Sequence, residues 1–231
     1  MKAFIFQQFS INQDEKVFRV GTDAVLLGSF ADVLGKTNVL EIGCGTGIIS
    51  MMLAQRNQNA EILAIDIDEN AVELAEINFI NSIFSKRLQV KSADYTKFNT
   101  ENLFDLIVCN PPYFEVNPSE KDILARQKLA LNFEDLIKNA SKILNKNGLF
   151  SVIIPAEDFV NFNQIATENL LYLKKKIEIF GIEGGTLKRV LLEFSKEKFT
   201  TEILKFTIEK SPRKYSEAYL ELTKEFHLFG K

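Results

Sequence analysis

The short apolar stretch Val39–Ile42 runs directly into Gly43-Cys44-Gly45-Thr46-Gly47, and that loop opens Ile48–Arg56, whose apolar residues recur at helical spacing. A strand, a glycine-rich turn and a helix with nothing between them leave few folds open. Glycines let the backbone turn tightly and approach a ligand, and a helix start offers unpaired N–H groups. The same grammar repeats downstream. Ile62–Ile65 is strand-like and ends in Asp66-Ile67-Asp68 ahead of a helix, Glu69–Ile80, with Ala71, Leu74, Ala75 and Phe79 facing inward. Leu88–Val90 is a third strand, ending near Asp94, and Phe104–Cys109 is a fourth, ending at Asn110-Pro111-Pro112-Tyr113. Asn132–Leu144 is a predicted helix stopped by Asn145–Gly148, Leu149–Ile154 a fifth strand, and Glu157–Leu170 a helix after Pro155. Strands alternating with helices predict an α/β fold with a mostly parallel sheet. The strands are apolar throughout, so helices should cover both faces.

The flanks read differently. Residues 4–9 and 17–20 are predicted strands around the polar turn Asn12–Lys16, and Thr22-Asp23 is the predicted N-cap region ahead of Ala24–Ala31. No helix separates Lys174–Phe180 from Arg189–Phe194, and Gly181–Gly185 supplies a turn, which predicts an antiparallel pair closing a seven-stranded sheet. Ile203–Glu209 is strand-like and Ser216–Phe226 is a last helix. The expectation is one domain over residues 1–231, with an N-terminal extension (1–35), a core (36–195) and a C-terminal elaboration (196–231).

Composition excludes several classes. Hydrophobic residues are 46% of the chain, too many for a disordered polymer, and two cysteines in 231 residues make no disulfide scaffold. No apolar run reaches membrane-spanning length. The start, MKAFIFQQFS, is too short in apolar residues for a signal peptide, so a cytoplasmic protein with reduced thiols is expected. A net charge of −3 argues against coating nucleic acid by bulk charge, yet residues 172–231 hold thirteen Lys+Arg against nine Asp+Glu. The clusters Lys174–Lys176, Lys188-Arg189 and Arg213-Lys214 fit either a polyanion partner or lysines that guard a sheet edge.

The loop is not a dinucleotide fingerprint, because residue 48 is Ile where G-x-G-x-x-G needs glycine. Asp66, 23 residues after Gly43, is placed to accept from both hydroxyls of a ribose, and Asp94 from an adenine amino group. Asp68 reads better as a helix cap. Asn110-Pro111-Pro112-Tyr113 suits a planar amino group as methyl acceptor. Its lone pair is delocalised, and two acceptors on its N–H bonds would favour a pyramidal, directed nitrogen. The Asn110 side-chain oxygen and the Pro111 carbonyl are those acceptors, and Tyr113 offers a face for a flipped base. Taken alone, Asn-Pro-Pro is also good turn chemistry. The only histidine, His227, lies among Phe226, Leu228 and Phe229 and reads as a packing residue. Cys44 and Cys109 have no partners at metal spacing and read as small apolar fillers; no metal site is expected.

Glu41-Ile42-Gly43-Cys44-Gly45-Thr46-Gly47 with Asp66 resembles the S-adenosylmethionine pocket of the Rossmann-like (class I) methyltransferases. The resemblance implies that the glycine loop wraps the methionine end and that Asp66 holds the ribose, with Glu41, Ile67, Asp94 and Asn110 also on the cofactor side. Asn-Pro-Pro-Tyr matches the amino-methyltransferase motif, whose members act on adenine N6, guanine N2 or a glutamine amide. Phe6–Phe9, then Phe18-Arg19-Val20-Gly21-Thr22-Asp23-Ala24-Val25-Leu26-Leu27-Gly28 with Ser29-Phe30 after it, is similar to the lead-in of the tRNA1(Val) adenine-N6 methyltransferases. That likeness runs through Ala125-Arg126 to Tyr215–Tyr219; Gln127 departs from it, where His is expected. It implies methylation of the adenosine 3′ of the anticodon (position 37) of a valine tRNA. Thr22 and Asp23 would line the methionine end or merely cap a helix. Lys188, Arg189, Arg213 and Lys214 would contact phosphates. The alternatives are a release-factor glutamine methyltransferase, which usually has a helical domain where only 42 residues precede Gly43, and a guanine-N2 rRNA methyltransferase, which often has an added domain. A DNA adenine methyltransferase would need a target-recognition insert. A non-catalytic RNA-binding module is the reading without chemistry, against which the intact Asn110–Tyr113 speaks. Sequence sets no oligomeric state.

Overall fold

The computed structural model describes residues 2–111 and 133–228. Among them, nine strands form one sheet: β3 (Asn38–Ile42), β4 (Glu61–Asp66), β5 (Leu88–Ser92), β6 (Phe104–Cys109), β7 (Leu144–Pro155), β8 (Tyr172–Ile182), β9 (Leu187–Ser195), β10 (Glu202–Ser211) and β11 (Lys214–Tyr215), in the order 11-10-8-9-7-6-3-4-5. The first seven of these are the expected core sheet. Strands β5, β4, β3, β6 and β7 are mutually parallel, and β9 runs antiparallel to both neighbours, β7 and β8. Strand β10 then pairs parallel to β8, and β11 antiparallel to β10, so residues beyond 195 extend the same sheet by two strands.

Alternate side chains of each central strand enter two cores. On one face Val39, Leu106, Val108, Leu149 and Ile153 meet α1 (Thr22–Phe30), α2 (Ile48–Arg56), α3 (Glu69–Ile80) and α6 (Glu217–Thr223). On the other, Leu40, Ile42, Ile107, Phe150 and Val152 meet α4 (Phe133–Ile143) and α5 (Phe159–Glu168). Phe150, Phe162 and Phe194 stack there, with centroids 5.8–6.3 Å apart. Helix α2 is buried from Ile48 to Ala54 because α1 covers its outer side. That approach needs Gly28, where a Cβ would lie 2.8 Å from the Met52 sulfur.

Several local expectations are corrected. Helix α4 stops as predicted, but β7 begins at once with Leu144. Phe104 pairs with Leu144 and Leu106 with Leu149, so Asn145–Gly148 is an irregularity within the ladder rather than a separate turn. Residues 17–20 are not a strand. The N-terminal ladder is β1 (Phe4–Ile5) against β2 (Ser10–Ile11), closed by a turn in which Phe6 N–H donates to the Phe9 carbonyl. Phe6 stacks on Phe9 and on His227, and the Gln7 amide donates to the Phe226 carbonyl, which docks this hairpin beside α6. His227 is thus a packing residue. Gly21, not Thr22 or Asp23, is the N-cap of α1. The Lys174–Lys176 run does not guard an edge, because β8 is an inner strand. Lys174 pairs with Glu193, Lys175 with Glu202, and Lys176 with Glu178, its ammonium also lying 4.2 Å from the Phe159 ring centroid.

At the opposite end of the sheet from the strands' C-termini, one carboxylate ties three segments. Asp105 accepts from the Thr37 N–H (3.0 Å), the Thr37 hydroxyl (2.8 Å), the Asn38 N–H (3.0 Å) and the Asn145 amide (2.6 Å). Partial burial would raise its pKa, but these bonds outweigh that and hold it down to about 2. An unfolded Asp titrates near ~3.9. Its contribution is therefore complete above that value and is lost as pH falls through the folded one. Urea midpoints measured from pH 5 to pH 2 should fall less steeply for Asp105→Ala than for the wild type. Curves that stay parallel there would rule out this role.

Candidate active site

The chain leaves β3 and β6 toward opposite edges of the sheet, with β4 and β5 on one side and β7 onward on the other. A crevice opens at the C-terminal ends of strands at such a switch point. Register decides what lines it. Ile42 pairs with Ile65 of β4 and with Cys109 of β6. The next residues on the three strands are Asp66, Gly43 and Asn110, so these form one row. Two strand spacings put Asp66 and Asn110 on the order of 10 Å apart, with the glycine loop between them.

Gly43, Gly45 and Gly47 all have positive φ (70°, 52° and 77°), a region costly for side-chain-bearing residues. The N–H groups of Gly43 and Cys44 both donate to the Ile65 carbonyl (2.9 and 3.1 Å). A Cβ built on Gly43 or Gly45 meets nothing within 4 Å, whereas on Gly47 it would lie 2.4 Å from the Phe79 ring. The first two glycines leave an open backbone face for a ligand, and the third admits α3. Asp66 closes the loop from the side: one carboxylate oxygen accepts from Gly45 N–H (2.9 Å), the other from Asp68 N–H (3.0 Å). Burial pushes the Asp66 carboxyl above its ordinary value despite these bonds. Both oxygens retain a lone pair for ligand hydroxyls. Asp68 is the N-cap of α3, accepting from Asn70 N–H at 3.0 Å.

Gly47, the N-cap of α2, has no side chain to satisfy the helix start. Glu41 supplies the cap from β3. Its Oε2 accepts from Ser50 N–H (2.9 Å) and from the Ser50 hydroxyl. Glu41 is 1% exposed, and its Oε1 is buried without a hydrogen-bond partner. Burial pushes its pKa up to about 8. On the opposite side of the loop stands Asn78 of α3. Its amide donates to the Thr46 carbonyl (2.9 Å) and the Asn12 carbonyl (3.2 Å), and its oxygen accepts from Asn12 N–H (2.8 Å). Neither Ser50 nor Asn78 was expected from sequence. Each is a polar residue on an otherwise apolar helical face, and that was the available signal.

The remaining candidates divide. Ile67, beside Asp66, is 49% exposed and gives the crevice an apolar lip. Asp94 follows β5 but turns onto its own loop. It accepts from the Thr96 hydroxyl (2.7 Å) and Thr96 N–H (3.0 Å) and pairs with Lys97 (3.3 Å), and the Thr96 hydroxyl foremost holds its pKa low. Asn110 is half-buried and Pro111 buried; Pro112, Tyr113, Ala125, Arg126 and Gln127 lie outside the described residues. Thr22 is exposed in the first turn of α1, while Asp23 pairs with Arg189 Nε at 3.0 Å. Arg189 therefore ties α1 to β9 rather than standing in open solvent. Lys188, Arg213 and Lys214 are exposed. Because β8 and β10 run parallel to β7, Lys188 at the start of β9, Arg213 in the turn after β10 and Lys214 at the start of β11 sit at the same sheet edge as Asn110. Cys44 and Cys109 are buried and unbridged, as fillers should be. Among the described residues no group of three or more His, Cys, Asp or Glu is placed to hold a metal ion, and no helix is long and apolar enough to cross a membrane. The open glycine face, the Asp66 lone pairs and the Ile67 lip suit S-adenosylmethionine, whose flat adenine can lie on an apolar side chain and whose ribose and methionine ends are polar.

Residues 15–171 match the model of the methyltransferase small domain family. The chain is 47% identical over 232 residues to a tRNA1(Val) (adenine(37)-N6)-methyltransferase from Flavobacteriaceae bacterium (strain 3519-10), covering 99% of this chain and 100% of that one. It is 37% identical over 236 residues to the Haemophilus influenzae protein of the same name, covering 99% of each. Among solved structures it is similar to one described as a predicted O-methyltransferase from Agrobacterium tumefaciens, with TM-score 0.68 and 21% identity over 88% of this chain and 96% of that one. It is also similar to a ribosomal protein L11 methylase from Lactobacillus delbrueckii subsp. bulgaricus, with TM-score 0.59 and 20% identity over 81% and 86%. The two structural likenesses speak to fold alone.

Two outcomes follow from the polar clamps. Asn78→Ala would strand the Thr46 carbonyl and both Asn12 backbone groups, at about 1–3 kcal/mol for each one left unsatisfied. Urea unfolding and cofactor titration should both show a loss; wild-type values in both would refute the clamp. For Glu41, the folded pKa lies above the unfolded value of ~4.3. Between the two the folded chain keeps a proton that the unfolded chain has lost, so stability falls as pH rises. Without cofactor, the melting temperature should drop from pH 5 to pH 8 more for the wild type than for Glu41→Gln. An equal drop would mean that Glu41 is ionised when folded.

Proposed function

The chain belongs to the methyltransferase small domain family and within it to the tRNA1(Val) (adenine(37)-N6)-methyltransferases; it is an S-adenosylmethionine-dependent methyltransferase of adenine N6 in tRNA, and we propose that its acceptor is the adenosine 3′ of the anticodon of a valine tRNA. The observation that supports this chemistry is the row Asp66–Gly43–Asn110, in which Asn110 would offer an amino-group acceptor site one strand from the glycine loop.

When bound, S-adenosylmethionine supplies an electrophilic methyl group on a sulfonium. Gly43 and Gly45 would let the backbone lie against its methionine end, with Thr22 and Asp23 nearby at the start of α1. Asp66 would accept from the ribose hydroxyls, and Ile67 would cover the adenine ring. Asp94 is placed for the adenine amino group only if it gives up part of its bonding to Thr96. Glu41 holds the start of α2 behind the loop. On the acceptor side, the Asn110 side-chain oxygen and the Pro111 carbonyl would each take one N6–H bond of the substrate. That draws the nitrogen toward a pyramidal shape and aims its lone pair. Catalysis of this kind comes from placement, with no general base required to start the transfer. Tyr113, from the family motif, would stack on the extruded base. Lys188, Arg213 and Lys214 would take phosphates along the same sheet edge, where they position RNA without choosing the base. Arg189 would contribute only alongside its bond to Asp23.

The test offers labelled S-adenosylmethionine with unmodified valine tRNA, rRNA and release factor in parallel. N6-methyladenosine at position 37 of the tRNA is the expected product; label in rRNA or release factor would overturn the substrate. Asn110→Ala should lower kcat by on the order of 10²-fold or more, with cofactor and tRNA affinities close to wild type. Undiminished turnover would remove Asn110 from the chemistry.

A further inference from the structure

Residues 17–23 form a strap along the rim of the crevice. At one end Val17 is buried against Ala71 and Leu74 of α3. At the other, Asp23 is bound to Arg189 at the start of β9. Between these anchors lie the C-terminal ends of β3, β6 and β7. Gly21 is extended (φ −116°, ψ 160°) and leads directly into α1 at Thr22. Val20 N–H is further held by the Gln13 side chain at 3.2 Å.

Val17 is buried, whereas Phe18 next to it is 68% exposed, the most exposed aromatic residue among the described ones. Arg19 beside it is exposed, as are Lys16 before it and Lys188 at the far anchor. A single exposed apolar residue needs no explanation on an arbitrary surface. This one is an aromatic residue on a segment anchored at both ends, beside Arg19 and at the end of the sheet where Asn110 lies.

We propose that Phe18 is a stacking platform for an unpaired nucleobase of the RNA substrate, next to the one that enters the site, with Arg19 on the adjoining phosphate. The inference rests on the reading of this chain as a tRNA methyltransferase and adds to it a residue that grips the loop's single-stranded bases. Stacking of this kind tolerates any base, because every base has a π-face. Phe18 thus contributes grip, while Asn110 and its neighbours choose the amino group.

The chain contains no tryptophan, so Phe18→Trp creates a single reporter in the full-length protein. Its emission should be quenched by an anticodon stem-loop RNA as the RNA binds, and should not respond to S-adenosylhomocysteine alone. In steady state, Phe18→Ala should raise KM for the RNA about tenfold, the size expected for one lost base stack, with kcat and KM for the cofactor near wild type. Phe18→Tyr should restore the RNA KM, and Phe18→Leu, equally apolar but without a π-face, should not. Emission unmoved by saturating RNA, quenching by the cofactor product alone, or full activity in Phe18→Leu would each overturn the proposal. If the wild type methylates the tRNA while Phe18→Trp stays silent, only this proposal fails. If the wild type neither binds nor methylates any RNA, the underlying reading fails with it.

Discussion

Parallel pairing of Ile42 with Ile65 on one side and Cys109 on the other fixes everything that follows at the candidate site. Those three residues lie one position below the sheet edge, so the register alone brings Asp66, Gly43 and Asn110 into line. A slip of one residue would reverse every side chain on a strand. It would send Val39 and Glu41 into the face now filled by Leu40 and Ile42. The penalty is severe because both faces are packed, and a buried carboxylate would land among Ile107, Phe150 and Val152. The apolar strands that make the core thus also align the site.

The glycine loop is shaped before any ligand arrives. Asp66 holds Gly45, Asn78 holds Thr46, and Glu41 holds the helix that the loop opens. These side chains come from β4, α3 and β3. A loop with three residues at positive φ would otherwise sample many shapes. Fixing it with protein hydrogen bonds moves the ordering cost from the binding step to the folding step, which favours affinity. The arrangement leaves Glu41 in an unfavourable environment, a carboxyl in the core with one oxygen unpartnered, and the raised pKa is the mark of that tension.

Much of this was legible in the sequence because it is local. The strand-loop-helix units at 38–56 and 61–80 announce themselves by period, and the chemistry-bearing residues sit where those strands end. Asp68 as a cap, His227 as a packing residue and the two cysteines as fillers follow from type and neighbours alone. What escaped was long-range. Nothing near Asn78 says that it reaches back 66 residues to Asn12. Lys174–Lys176 looked like an open basic run until their partners Glu193 and Glu202 came in from neighbouring strands. Residues 17–20 have the composition of a strand, but they pair with none of the described strands, and Val17 finds its burial on a helix instead. The pairing of β10 with β8 is likewise invisible without the fold, since parallel strands share no turn.

The docking of the first hairpin on the last helix has a temporal side. Gln7 bonds to residues 224, 226 and 227, so the two partners are separated by some 220 positions of chain. During synthesis the glycine loop and its supporting strands emerge, and can pair, long before α6 exists. Phe6 must wait for His227, whereas Phe9 meets Phe84 earlier. Domains fold from their N-terminal end as they emerge, yet here Phe6 and Gln7 gain these contacts only once residues 224–227 have been made. A nascent chain could hold Asn12 and Val17 on α3 while the hairpin before them still lacked its contacts with residues 224–227.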